Sequence, residues 1–266
     1  MKTEVFRYPS VLESEGRMYR DVKNLLIDAG ISGQMIPKVL LAVSEAFTNA
    51  LEHGNTFDPD KTIEISIGIN NEVVTADIID EGTADVEIVN MRKPSDSLQE
   101  GGRGVDLMKS IADLIEIKRN TGTTGLRVSM KFERNKYKDN QELKCNSEAK
   151  MEFSKRDEGS VMVITLSGRL DLSSGGILKE EIKSILTSGK TSVHLNLRNV
   201  EFVNSSGLGA LVSIMKEIRI YRGRLTLSDL MDYVQEIFDI TQLSHIFEIF
   251  TTEEEALKSY QAVVCS

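Results

Sequence analysis

The chain has 266 residues, a 40% apolar share and a formal net charge of −9, with a sequence pI near 5.1. That balance excludes a basic nucleic-acid footprint, and the absence of any run of about 18 apolar residues excludes a helical membrane span. Two cysteines without zinc-type spacing and three scattered histidines leave no disulfide framework and no His-based metal site, so a soluble cytoplasmic protein is expected.

In chain order, residues 12–29 have Leu12, Met18, Val22, Leu25 and Leu26 on one side and predict a helix, and Pro37 opens a second one. The second reads "LLAVSEAFTNALEHGN", with Glu45, Asn49 and His53 four residues apart along one face. By itself such a stripe is a solvent face. "TIEISIGI" and "VVTADII" read as paired strands, and the latter runs into "DEGTAD", placing the carboxylate of Asp80 just before Gly82. Gly101, Gly102 and Gly104 precede "VDLMKSIADLIEI", which has helical spacing throughout, and glycines at a helix start let phosphates approach free amides. "GLRVSMKF" closes this half as a strand, giving an α+β order.

Residues 134–150, "RNKYKDNQELKCNSEAK", lack periodicity and read as a polar linker, or as a short exposed helix. Beyond it, "SVMVITLSGRLD", "SVHLNLRNVEF" and "GRLTLSDL" read as strands, each followed by a helical run, which predicts an α/β domain of about 110 residues. Ser173 and Ser174 read as caps. In "VNSSGLGAL", Ser205 stands where a helix begins, either as a cap or as a phosphate acceptor whose two added charges would alter a docking face.

The stretches around Glu45–Asn49, Asp80–Gly82 and Gly102–Gly104, with "GTTGLRV" after them, resemble the motif boxes of the Bergerat-fold (GHKL) ATPases. The likeness is closer to the anti-sigma-factor serine kinases of bacterial partner switching. It implies a two-layer α+β ATP-binding domain over residues 1–133. In that family pattern Asn49 would hold Mg²⁺ through its amide oxygen, and Glu45 would accept or orient the proton of an attacking serine. Asp80 would accept from the adenine amino group, Gly82 would leave room for the base, and Gly102 and Gly104 would shape the lid and the phosphate-side helix end. Thr123 would lie near adenine, and Arg103 would contact phosphate or point to solvent. The family's second G1 glycine is replaced by Ala84.

Residues 151–266 resemble a STAS domain of the anti-sigma-factor-antagonist type, with Ser205 at the phosphorylated position and Asn204 where the family has Asp. The two likenesses together imply an ATP-dependent serine kinase fused to its antagonist. It would transfer the γ-phosphate to Ser205, or to the serine of a separate antagonist, to release a sigma factor or other client. A homodimer is implied as well. Ala84 and Asn204 keep open a second reading, a nucleotide-gated binding protein whose STAS domain is a built-in pseudo-substrate. A small ATPase that phosphorylates no protein is a third.

Overall fold

The structure, a computed structural model, describes residues 1–83, 103–121, 124–137 and 151–264. The chain divides into two compact units, an α+β unit followed by an α/β unit.

In the first unit β1 (Lys2–Pro9), β2 (Thr62–Ile69), β3 (Val73–Ile79), β4 (Leu114–Arg119) and β5 (Leu126–Glu133) form an antiparallel sheet in the order β1-β2-β3-β5-β4. Alternation decides its faces: Ile63, Ile65 and Ile67 of β2 and Val74, Ala76 and Ile78 of β3 are buried, with polar residues between them. That face packs beneath α1 (Glu13–Asp28), α2 (Met35–Asn49) and α3 (Arg103–Ile111). Pro37 sits in the first turn of α2, where its missing N–H costs nothing.

The helical spacing of Val105–Ile117 does not carry one helix, because α3 ends at Ile111 and the chain pairs as β4 with β5, Ile115 opposite Met130. Cross-strand pairing outweighs a local period that a short apolar run satisfies equally well. The linker does not begin at Arg134. The Arg134 guanidinium donates to the Asn70 carbonyl (2.8 Å) and the Gly30 carbonyl (3.3 Å), and Lys136 pairs with Asp113 (2.5 Å), so residues up to Tyr137 are fastened to the first unit.

The second unit has the sheet order β10-β9-β8-β7-β6, built from β6 (Glu152–Glu158), β7 (Val161–Leu170), β8 (Ser192–Val203), β9 (Arg224–Ser228) and β10 (Glu248–Phe250). β7 to β10 are parallel, and β6 runs antiparallel on β7. The crossovers are α4 (Leu172–Thr187), α5 (Ser205–Ile220) and α6 (Asp232–Ile240), and α7 (Glu253–Val264) closes the chain. Leu208, Leu211, Val212, Met215 and Ile218 bury the inner face of α5, at the expected spacing.

Candidate functional site

α2 does not stop after Asn49; it widens into a π turn, Ala50–Gly54, closed by the Asn55 amide on the Ala50 carbonyl (2.7 Å). Such widened turns concentrate at functional sites. Glu45 is 1% exposed, so the solvent-face reading of the polar stripe does not hold for it. Asn49 and His53 both line a cavity, together with Asp80 at the end of β3. The widening carries the chain to Gly54, whose backbone lies against Asp80. A Cβ on Gly54 would be 2.7 Å from the Asp80 Cγ.

Asp80 is 6% exposed and rigidly held. Its Oδ1 accepts from the Gly82 amide (2.8 Å) and the Leu126 amide (3.1 Å). Burial pushes its pKa up, and these two bonds and the Lys61 charge oppose the rise. A Cβ on Gly82 would overlap the Gly54 carbonyl, and one on Gly125 would overlap the Asp80 carbonyl. Gly82 therefore answers to a close backbone neighbour. Gly54 and Gly125 lie within the motif stretches, in "EHGN" and "TTGL", where no local pattern marks them.

The remaining walls are apolar: Ile78, Met108, Ile117, Leu126 and Val128. Apolar walls with one fixed carboxylate suit the chemistry of a flat base carrying an amino donor, and the Asn49 amide oxygen is chemically suited to a hard cation beside phosphates. The residues present thus fit ATP. Arg103, the first residue of α3, is 3% exposed, and Gly104 is buried beside it, so the alternative of Arg103 pointing into solvent is overturned. Gly102, Thr123 and Ala84 lie outside the described residues.

In the second unit the cap of α5 is Asn204 rather than a serine. Its Oδ1 accepts from the Gly207 amide (3.0 Å) and the residue is wholly buried. Ser205 and Ser206 are half-buried at the first two helical positions, so the capping reading of Ser205 does not hold. For α4 the cap is Asp171. Ser174 closes a reciprocal capping box with it, and the Ser173 hydroxyl bonds to its carboxylate (3.1 Å).

Each half of the chain matches a known domain family. Residues 8–132 match the histidine kinase-like ATPase domain and residues 152–256 match the STAS domain. The chain is thus a fusion of these two domain families, the architecture of a partner-switching regulator.

Among individual relatives, the anti-sigma F factor of Geobacillus stearothermophilus is 34% identical over 95 residues, 34% of this chain and 65% of that protein. The anti-sigma-B factor antagonist of Bacillus subtilis is 29% identical over 100 residues, 38% of this chain and 90% of that protein. Among solved structures, the unphosphorylated anti-sigma factor antagonist SpoIIAA is 26% identical, with a TM-score of 0.38, covering 42% of this chain and 97% of that one. Among the described residues, no helix is long and apolar enough to cross a membrane.

Proposed function

We propose that the chain is an ATP-dependent protein serine kinase of the anti-sigma-factor type, joined to its own antagonist-type STAS domain. The observation that carries this reading is the convergence of Asn49 and Asp80 on one cavity, with the buried Glu45 one helical turn behind Asn49. Asp80 selects the base through its second oxygen, since Oδ1 is committed to two amides. Mg²⁺, held by Asn49 and the phosphates, would offset their charge. Glu45 accepts the proton of the incoming serine hydroxyl as its oxygen bonds to the γ-phosphorus, and the bond to the β-phosphate oxygen breaks to release ADP.

Ser205 is the acceptor in this reading, or the equivalent serine of a separate antagonist. It stands at the start of a packed helix, where a phosphoryl group meets unsatisfied amides without unfolding the domain. The client is a sigma factor or another regulatory protein, and the kinase unit pairs as a homodimer. Residues 1–137 and 151–266 act as the two functional domains.

A second reading is favoured by Asn204, which places a neutral amide beside the acceptor. There the first unit binds nucleotide without useful turnover and the STAS unit serves as a pseudo-substrate.

Intact-protein mass after incubation with Mg·ATP separates them. The kinase reading expects a gain of one phosphoryl group, absent in Ser205→Ala. In Glu45→Gln it expects no gain with nucleotide affinity kept, a transfer loss of about 100-fold or more. No gain in the parent chain or on an added antagonist, with ATP bound, supports the pseudo-substrate. Steady phosphate release without protein phosphorylation indicates a plain ATPase.

A further inference from the structure

The first turns of α4 and α5 rise from one place. In the parallel pair β7 and β8, Arg169 is opposite Phe202 and Leu170 opposite Val203, and each strand then passes through one cap residue into its helix. The Leu170 carbonyl accepts from the Asn204 amide (3.2 Å) and occupies the space that a Cβ on Gly207 would need. A Cβ on Gly175 of α4 would lie 2.8 Å from the Ala210 Cβ and 3.8 Å from the Ser206 carbonyl oxygen. Adjacent strands are about 4.8 Å apart, so the caps Asp171 and Asn204 are neighbours and Ser205 is one residue further.

The two helix ends differ in charge. Asp171 is 2% exposed and takes the Arg169 guanidinium through Nε (3.0 Å) and Nη2, while the same guanidinium lies 5.9 Å from the Phe202 ring centre. Arg169 is therefore a largely buried cation within one side chain's reach of the acceptor, held by a carboxylate. A phosphoryl group brings nearly two charges and three acceptor oxygens to the same spot, and a guanidinium binds such a group through paired N–H donors.

We propose that Arg169 is the phosphoryl-binding residue of this site, turning from Asp171 to the phosphate when Ser205 is phosphorylated. The exchange leaves Asp171 with its capping box but without its counter-charge, so phosphorylation of α5 also reaches the first turn of α4. This rests on the reading of Ser205 as the acceptor. Its test does not depend on the kinase, because phosphoserine can be placed at position 205 by genetic incorporation.

The measurement is a ³¹P NMR titration of the full chain carrying phosphoserine at 205, compared with Arg169→Gln, Arg169→Lys and Asp171→Asn in the same background. The ordinary second pKa of phosphoserine is about 6. In the parent it should lie below that value, and Arg169→Gln should raise it by about half a unit or more while Arg169→Lys raises it less. Asp171→Asn keeps a competent cap and releases the guanidinium, so there the pKa should fall below the parent's. A shift under about 0.2 unit in Arg169→Gln would overturn the proposal. So would a rise in both Arg169→Gln and Asp171→Asn, which marks a purely structural pair. Failure of the kinase reading would appear separately, as no mass gain with ATP.

Discussion

Asp80 keeps its orientation because three glycines let backbone come closer than any side chain allows. Gly54 presses on its carboxyl carbon, Gly125 on its carbonyl, and Gly82 on the Gly54 carbonyl. Gly125→Ala should therefore cost about 3 kcal/mol or more, since the added carbon meets backbone and not a movable side chain. Urea unfolding of the first unit checks the loss, and ATP titration should show weakened binding even where the fold survives. An unchanged midpoint would mean that the chain relaxes around position 125 at little cost. The carboxylate was legible in the sequence because a strand ending in Asp followed by Gly is a local pattern. Gly54 and Gly125 were not, because what they accommodate comes from residues about 26 and 45 positions away, and nothing local records a cross-strand approach. Asn204 as the cap was hidden for a simpler reason: Asn and Ser cap equally well, and only the start of the helix decides which one does.

At the scale of elements, α7 is tied down by polar groups. His194 is wholly buried on β8, with Nδ1 against the Thr226 hydroxyl (2.8 Å) and Nε2 against the Ser228 hydroxyl (3.0 Å). The Thr226 hydroxyl meets the Tyr260 hydroxyl of α7 (3.1 Å), which donates to the Val193 carbonyl (2.7 Å). Asp229 accepts from Ser228 (2.6 Å) and from the Glu253 amide at the start of α7 (3.0 Å). Burial lowers the His194 pKa to about 4 from 6.5.

The unfolded chain therefore takes up a proton near pH 6.5 that the folded chain refuses until about pH 4. The stability from a neutral His194 is complete above 6.5 and falls through that window, by an amount on the order of 2–3 kcal/mol. Burial raises Asp229 and Glu253, but hydrogen bonds from Ser228 and Arg198, and from Arg156 and Asn196, hold them below their ordinary values. Their contribution is present above those ordinary values and is lost as pH falls through the lowered ones, largely below the His194 window. Urea unfolding followed through the methyl signals of Leu195 and Leu227 should show the decline, and His194→Gln should flatten it between pH 6.5 and 4.5. An equal decline in both proteins would remove His194 as its cause.

None of this network could be read from the chain, since Ser, Thr and His in strands look like ordinary polar alternation. α7 and the edge strand β1 escaped for a related reason. Charged runs such as "KTEVFRYP" and "EEEALKSYQ" carry weak periodicity, and their assignment comes from the partner they pack on. The apolar strands were legible from their alternation or continuous runs, and α5 from the helical spacing of its one buried face.

For the whole molecule, the question is whether one chain can phosphorylate itself. Arg134 and Tyr137 belong to the first unit, so the tether is at most residues 138–150, which span no more than about 45 Å when fully extended. It leaves next to Glu133, paired with Val73 at the end of β3 remote from Asp80, which is about 24 Å away along the strand. The reach therefore exceeds that strand length by less than a factor of two. Where the geometry lets the acceptor arrive, its effective concentration would be about millimolar, and transfer within one chain should be first order and independent of chain concentration. Deleting six residues from 138–150 cuts the limit to about 24 Å, no more than the length of β3 back to Asp80, and should slow transfer at low concentration by about tenfold or more. Mixing Glu45→Gln chains with Ser205→Ala chains isolates the intermolecular route, because only the former offers an acceptor and only the latter a base. Phosphate appearing on the Glu45→Gln chain at the parent's rate, with no effect of the deletion, would assign the transfer to a second copy and leave the tether as a means of keeping kinase and antagonist in equal number.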